Sequence, residues 1–193
     1  MRTIAPWDMI KIRSAVKDLQ DKYKEYTPPV SVEKIINGEK IVVKYHSRVE
    51  AGFPIVVKKG QEYGILICSI YGEKVARWHM ACALGGIVLG LVDSGADSWK
   101  EDRMEEESRI YVEKKMDIFA GELLIPERWI ESFLSNSCSL NDLERAQVLC
   151  GVPMDKLIQR LRLWSTAAHR RFRQSESLRI NRERFADLPL SSQ

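Results

Sequence analysis

A chain of 193 residues is long enough for one well-buried core, or for one domain with a small appendage. Its 45% hydrophobic and 30% charged residues are ordinary for a globular protein, and a net charge of +3 over the whole chain is too small to indicate a nucleic-acid partner. No apolar run is long enough to span a bilayer and the first residues lack a signal-peptide pattern, so we expect a cytoplasmic protein with no membrane partner. The four cysteines are scattered without a C-x-x-C pair, which favours free thiols.

The first third of the chain predicts two helices and a small sheet. Apolar residues at helical spacing indicate a helix over 6–26 that stops before Pro28. Ser31 is predicted to cap a short helix through Ile36, which Asn37-Gly38 ends. Short β-branched runs then predict strands at 41–46, 54–58 and 63–68. The last two strands are predicted as a hairpin and the first as its neighbour, in an antiparallel or mixed sheet.

The rest of the chain is predicted to be helical, which makes the fold class α+β. Predicted helices lie at 73–91, 106–124, 127–134, 141–150 and 154–164. Gly151-Val152-Pro153 forms a tight turn between the last two, so that residues 141–164 are helix, turn, helix. The remainder to about residue 185 is compatible with a basic helix.

Positive charge is concentrated at the C-terminal end. Eight arginines oppose two glutamates there: Arg160, Arg162, Arg170, Arg171, Arg173, Arg179, Arg182 and Arg184. Such a run is more often a solvated or partner-binding face than a nucleic-acid arm, although it leaves phosphate binding open. We take the first five as candidate contacts with a protein partner or with nucleic acid.

Two distant segments carry the most specific motifs. Residues 77–89 read RWHMACALGGIVL, and residues 113–126 read EKKMDIFAGELLIP. Together they resemble the ImmA/IrrE family of zinc metallopeptidases, whose two helices read R-F-x-x-A-H-E-x-G-H-x-x-L and E-x-x-A-N-x-F-A-x-x-L-L-M-P. The resemblance implies a zincin-like helical domain with a small three-stranded sheet over 1–134, followed by a helix-turn-helix-like unit with a basic tail over 139–185.

The reactive side chains of that family pattern are missing from this chain. Matched position by position, the first histidine ligand is Cys82, the general base is Ala83, and the second histidine is Gly86. The third-ligand position, Glu113, keeps a residue able to bind metal, and Asp117 keeps a position that supports the site through a hydrogen bond. Loss of the base alone lowers hydrolysis by about two to four orders of magnitude. The resemblance therefore implies a pseudoenzyme without a zinc cofactor.

Three functional hypotheses remain open. The leading one is a non-catalytic regulatory protein that binds a protein partner, namely a helix-turn-helix repressor or a related regulator, because ImmA/IrrE-like proteins act on or pair with such repressors in mobile elements and stress circuits. The first alternative is a zinc metallopeptidase with a rearranged site of His79, Cys82 and Glu113, against the simpler interpretation that His79 and Cys82 are packing residues. The second is a DNA-binding regulator using residues 141–184, although the turn glycine is displaced by one position from the DNA-binding pattern.

Overall fold

The structure is a computed structural model that describes residues 4–47, 53–92, 106–133 and 139–171. Within these residues the chain is a mixed α+β fold with seven helices and one three-stranded sheet. The helices are α1 (Pro6–Tyr23), α2 (Val32–Gly38), α3 (Glu73–Val88), α4 (Glu106–Leu124), α5 (Glu127–Phe133), α6 (Leu140–Cys150) and α7 (Met154–Arg171). The strands are β1 (Val42–His46), β2 (Ile55–Lys59) and β3 (Glu62–Cys68). Every predicted element is present, and the predicted helical stretch beyond residue 171 lies outside the described residues.

The first two helices have local sequence causes. α1 ends at Tyr23, three residues earlier than predicted, because Lys24 adopts a left-handed conformation with φ of 59°. α2 is capped as predicted, with the Ser31 hydroxyl accepting a hydrogen bond from the Lys34 backbone N–H at 3.3 Å. Gly38, its last residue, packs against the Tyr23 ring, where a Cβ would collide.

The sheet is mixed, which decides between the two predicted alternatives. Its strand order is β1-β3-β2, with β1 parallel and β2 antiparallel to the central strand. Val43 of β1 and Val56 of β2 both lie beside Ile65 of β3. The predicted hairpin turns at Gly60, whose φ of 62° suits a residue without a side chain. Ile65 and Ile67 are completely buried, so one face of β3 belongs to the core.

α3 lies at the centre of the fold, between the sheet and α4. One cluster of buried apolar side chains forms the core, and all seven helices and the sheet contribute to it. Leu143, Leu157 and Trp164 of the predicted C-terminal unit belong to this same cluster. The division into 1–134 and 139–185 stays a prediction. Within the part of the chain that the structure describes, no helix is long and apolar enough to cross a membrane.

Candidate functional site

The positions matched to the metallopeptidase centre lie where α3 packs along α4. Cys82 is 1% exposed and Ala83 is completely buried. All side chains of α3 between 80 and 86 are buried, because the sheet and α4 cover the helix from different sides. Because neighbouring elements cover this part of α3 from different sides, its sequence is apolar around the whole circumference of the helix.

Two adjacent glycines allow α4 to approach α3 closely. A Cβ at Gly85 would lie 2.7 Å from the Phe119 ring, and a Cβ at Gly86 would lie 2.9 Å from the terminal methyl of Met116. Phe119 and Met116 are themselves buried, at 0% and 1% exposure. The room that a histidine would need at position 86 is therefore filled by Met116, which stands where the family pattern has alanine.

Cys82 is a buried thiol without access to solvent. Burial, with a smaller contribution from the Asp117 carboxylate, raises the pKa of the Cys82 thiol well above its usual value. The thiol therefore stays protonated at physiological pH in the absence of a metal ion, whereas nucleophilic attack needs the thiolate. Ala83 and Gly86 supply no donor atom, so the residues at this centre do not fit a zinc ion.

His79 lies at the edge of the centre, partly buried between aromatic rings. It contacts Tyr71 edge-to-face with 4.7 Å between ring centroids, and stacks with Phe53 at 6.4 Å. Burial, and then the Lys156 ammonium, lower the pKa of His79 to about 4 against the opposing effect of Asp117. The imidazole is therefore neutral at physiological pH. Its buried Nδ1 has no hydrogen-bond partner among the described residues.

The structure does not assemble the rearranged metal site. Glu113 lies 3.8 Å from the Arg109 Nε, one turn earlier on α4, and its side chain is 27% exposed. His79, Cys82 and Glu113 form no common donor set. Over the described ranges, no group of three or more His, Cys, Asp or Glu side chains could hold a metal ion.

Asp117 is the polar centre of this region. Its Oδ1 accepts a hydrogen bond from the Trp78 indole Nε1 at 2.9 Å and another from the Lys156 Nζ at 2.7 Å. The Lys156 ammonium also lies 5.5 Å from the centroid of the Trp78 ring, within range of a cation–π interaction. A hydrogen-bonding role was expected for Asp117, and here the donors are an indole and an ammonium.

A shallow cleft opens beside the Asp117–Lys156 ion pair, between α4 and α7. Its enclosed space is about 10 Å³, about the room that one water molecule needs, which is too little to enclose a substrate. Leu163 is 47% exposed at its edge. The cleft is lined by Trp78, Asp117, Ile118, Gly121, Lys156, Gln159, Arg160 and Leu163.

Arg160 is an internal ion-pair residue, which corrects its prediction as a contact with a partner or nucleic acid. It is 5% exposed. Its guanidinium donates to both carboxylate oxygens of Glu122, at 3.0 and 2.7 Å, and its Nε donates to the Ile125 carbonyl at 3.3 Å. Arg13 of α1 adds a further bond to Glu122 at 3.2 Å. These bonds stabilise a guanidinium that would be costly to bury alone.

The other four candidate arginines stay predictions. Arg162 is half-buried on α7 and has interactions of its own. Arg170 and Arg171 lie at the end of α7, where the structure describes the backbone alone. Arg173 lies outside the described residues.

Sequence reasoning missed three residues that shape this region. Glu122 carried a signal, because a single acid within the apolar stretch FAGELLIP predicts a buried charge that needs a cation. Met116 carried one too, since a long side chain replaces the alanine of the family pattern. Lys156 carried none, because its partner Asp117 lies 39 positions earlier in the chain.

Comparison with known proteins finds a likeness among solved structures. No family model matches the chain, and no protein with curated annotation resembles it significantly. Among solved structures, the chain is similar to a Mycobacterium tuberculosis transcriptional regulator, with a TM-score of 0.52 and 12% sequence identity. The alignment covers 79% of this chain and 46% of that one, so the chain spans just under half the length of the regulator. At this identity the likeness concerns the fold alone.

Proposed function

We propose that the chain is a non-catalytic ImmA/IrrE-like protein that binds a protein partner, namely a helix-turn-helix transcriptional repressor or a related regulator. The observation that carries this proposal is the filled centre. Met116 packs on Gly86, Ala83 has no group that can accept a proton, and Cys82 is a buried, protonated thiol. A protein with such a centre acts by stoichiometric binding and not by turnover. Likeness of the fold to that of a transcriptional regulator supports a regulatory role.

We assign the partner contact to the cleft between α4 and α7. It combines exposed apolar surface at Leu163 with the charged pair of Asp117 and Lys156. An apolar contact bordered by polar groups is the usual composition of a specific protein interface. The cleft also lies beside the filled centre, since both charges act on the buried Cys82 thiol.

A titration against candidate repressors tests the proposal. Repressors encoded next to this chain's gene would be purified and titrated calorimetrically, and the repressor would then be weighed by mass spectrometry. We expect one-to-one binding that leaves the repressor intact. Leu163→Asp should weaken binding at least about tenfold, because it places a charge in an apolar contact. Val42→Asp is the matched control, because Val42 on the edge strand β1 is about as exposed as Leu163, and it should leave binding unchanged.

Two results would overturn the proposal. One is the absence of binding to any neighbouring repressor up to about 100 μM, a concentration at which even a weak specific contact is measurable. The other is repressor cleavage that depends on added zinc. Metal analysis of protein purified without chelator addresses the rearranged site directly: we expect substoichiometric zinc that Cys82→Ala does not change, whereas one zinc per chain that Cys82→Ala removes would support a peptidase.

Direct DNA binding through residues 141–184 is a second candidate, favoured by the helix pair α6 and α7. Gly151 joins them in a left-handed conformation with φ of 61°. However, among the α7 side chains that the structure describes, which end at Trp164, the exposed ones are Asp155, Gln159 and Leu163. None of these three carries the positive charge that contact with phosphates needs. A gel-shift titration at several salt concentrations distinguishes the two candidates. Retardation of DNA that weakens steeply with salt would favour this second one.

A further inference from the structure

α6 presents an exposed face that is symmetric about the middle of the helix. Its buried side is formed by Leu143, Ala146 and Cys150. Its exposed side forms two adjacent stripes, each with a charge in the middle, and three of the four residues at the stripe ends are apolar. The stripes are Leu140, Glu144 and Val148, and beside them Asn141, Arg145 and Leu149.

We propose that this face pairs with the same face of a second copy of the chain, with the two α6 helices antiparallel about a two-fold axis between Glu144 and Arg145. Such an axis places each stripe opposite the other stripe of the second copy. Glu144 then faces Arg145, and Leu140 faces Leu149. Val148 faces Asn141, the one pair of mixed character.

Exposed apolar side chains on this face favour its burial against another surface. Leu140 is 61%, Val148 70% and Leu149 45% exposed, three large apolar side chains on one short helix. In the antiparallel arrangement each copy brings these three residues to the ends of the contact, where they lie around the central charges. Opposite charges at the centre fix the register, because sliding one helix by a turn would separate Glu144 from Arg145.

α6 is held rigidly at both ends, so that the face needs little ordering before it pairs. At the N-terminus the Ser139 hydroxyl accepts from the Asp142 backbone N–H, while the Asp142 carboxylate accepts from the Ser139 backbone N–H at 2.9 Å. At the C-terminus the Gly151 backbone N–H donates to the Gln147 carbonyl at 2.9 Å. A preorganised element loses less conformational entropy on association.

The expected dimer is weak and sensitive to salt. An 11-residue helix is about 16 Å long, so that the contact falls below the size of a stable permanent interface. The two central charge pairs lie at the surface, where dissolved ions screen them. We therefore expect association at high protein concentration and low ionic strength, and less of it at high salt.

Charge reversal tests the pairing. Glu144→Arg places arginines opposite each other, and Arg145→Glu does the same with glutamates, so each variant alone should associate at least about tenfold more weakly. A mixture of the two variants should form a mixed dimer, because arginines then face glutamates. The double variant Glu144→Arg/Arg145→Glu should regain the association of the unchanged chain. Glu33→Arg, at an exposed position on α2, is the control and should not alter association.

Sedimentation equilibrium up to about 1 mM protein measures all six samples, namely the unchanged chain, the two single variants, their mixture, the double variant and the Glu33→Arg control. The proposal is overturned if the unchanged chain remains monomeric at that concentration, or if it dimerises and the mixture of single variants does not. Circular dichroism verifies that each surface variant is folded. The inference does not rest on the proposed function, because self-association and repressor binding are measured separately. A chain that dimerises without binding a repressor, or binds a repressor without dimerising, would support one proposal and contradict the other.

Discussion

The terminal methyl of Met116 lies against Gly86: a Cβ there would stand 2.9 Å from it, so the methionine would have to shift to admit a side chain. At Gly85, one residue earlier, a Cβ would stand 2.7 Å from the ring of Phe119 and 2.9 Å from its Cβ. The two contacts differ in kind. A methionine methyl is the far end of a flexible side chain, whereas the ring and Cβ of Phe119 are held close to the backbone of α4.

The two glycines should therefore respond differently to alanine. Gly85→Ala should lower the free energy of unfolding by about 1–3 kcal/mol, because the overpacked Phe119 cannot move aside. Gly86→Ala should change it by less than about 1 kcal/mol, because Met116 can shift and alanine favours a helix over glycine. Urea denaturation of both variants measures the difference. A larger loss for Gly86→Ala than for Gly85→Ala would contradict the packing described for this pair.

The buried ion pair should be costly to break from one side. Arg160→Met leaves Glu122 with Arg13 as its remaining cation and should lower the free energy of unfolding by about 3–5 kcal/mol. Combining Arg160→Met with Glu122→Leu removes both charges and should recover most of the loss. Denaturant unfolding of the two variants gives the comparison.

An exposed ion pair supplies the control for that series. Lys22→Met breaks a bond of 2.8 Å to Glu39 at the surface and should cost much less than Arg160→Met. Equal losses for Lys22→Met and Arg160→Met would show that burial does not set the cost of breaking the pair.

Stability should depend on the protonation of His79 in mild acid. Its folded-state pKa of about 4 lies below the ordinary value of 6.5. Between these values the unfolded chain takes up a proton that the folded chain does not, so stability falls as the pH is lowered from 6.5 towards 4. This residue contributes a slope of up to about 1.4 kcal/mol per pH unit. His79→Phe should flatten this dependence of stability on pH, and denaturation curves at several pH values measure it. An unchanged slope in the variant would mean that His79 does not cause the dependence.

Two charges should move the pKa of His79 in opposite directions. Lys156→Met removes a cation that lowers it, and should raise the pKa of His79. Asp117→Asn removes an anion that raises it, and should lower the pKa of His79. The chain has three histidines, so a proton NMR titration can follow each imidazole separately. Shifts of the same sign in both variants would mean that changed burial outweighs the charges.

Local sequence signals predicted the helices and strands, whereas some helix ends and the direction of strand pairing depend on the whole fold. The Ser31 cap and the left-handed Gly151 follow from residue types, so the helix boundaries near them were predictable. The early end of α1 at Lys24 was not, because lysine rarely adopts a left-handed conformation. The parallel pairing of β1 with β3 also needs the whole fold, since either direction would satisfy the same alternation of residues.

The site was predictable as a set of positions but not as a packed environment. The motif located Cys82 and Gly86 on one helix and Asp117 on another, and those helices do pack together. The side chain that packs against Gly86 comes from Met116, across the helix interface, and no spacing rule reveals its direction. The role of Arg160 was missed for a related reason: an arginine in a basic stretch looks solvated until its buried partner Glu122 is known.

The bidentate contact between Arg160 and Glu122 has a consequence for how the chain unfolds. It connects α7 to α4 across 38 positions of sequence, inside a core to which both helices contribute. A fragment that ended at residue 134 would keep the Glu122 carboxylate without its main cation and would uncover the apolar surface that Leu157 and Trp164 protect. We therefore expect residues 1–134 and α7 to unfold in one cooperative transition, in which α7 does not detach while the rest of the core stays folded.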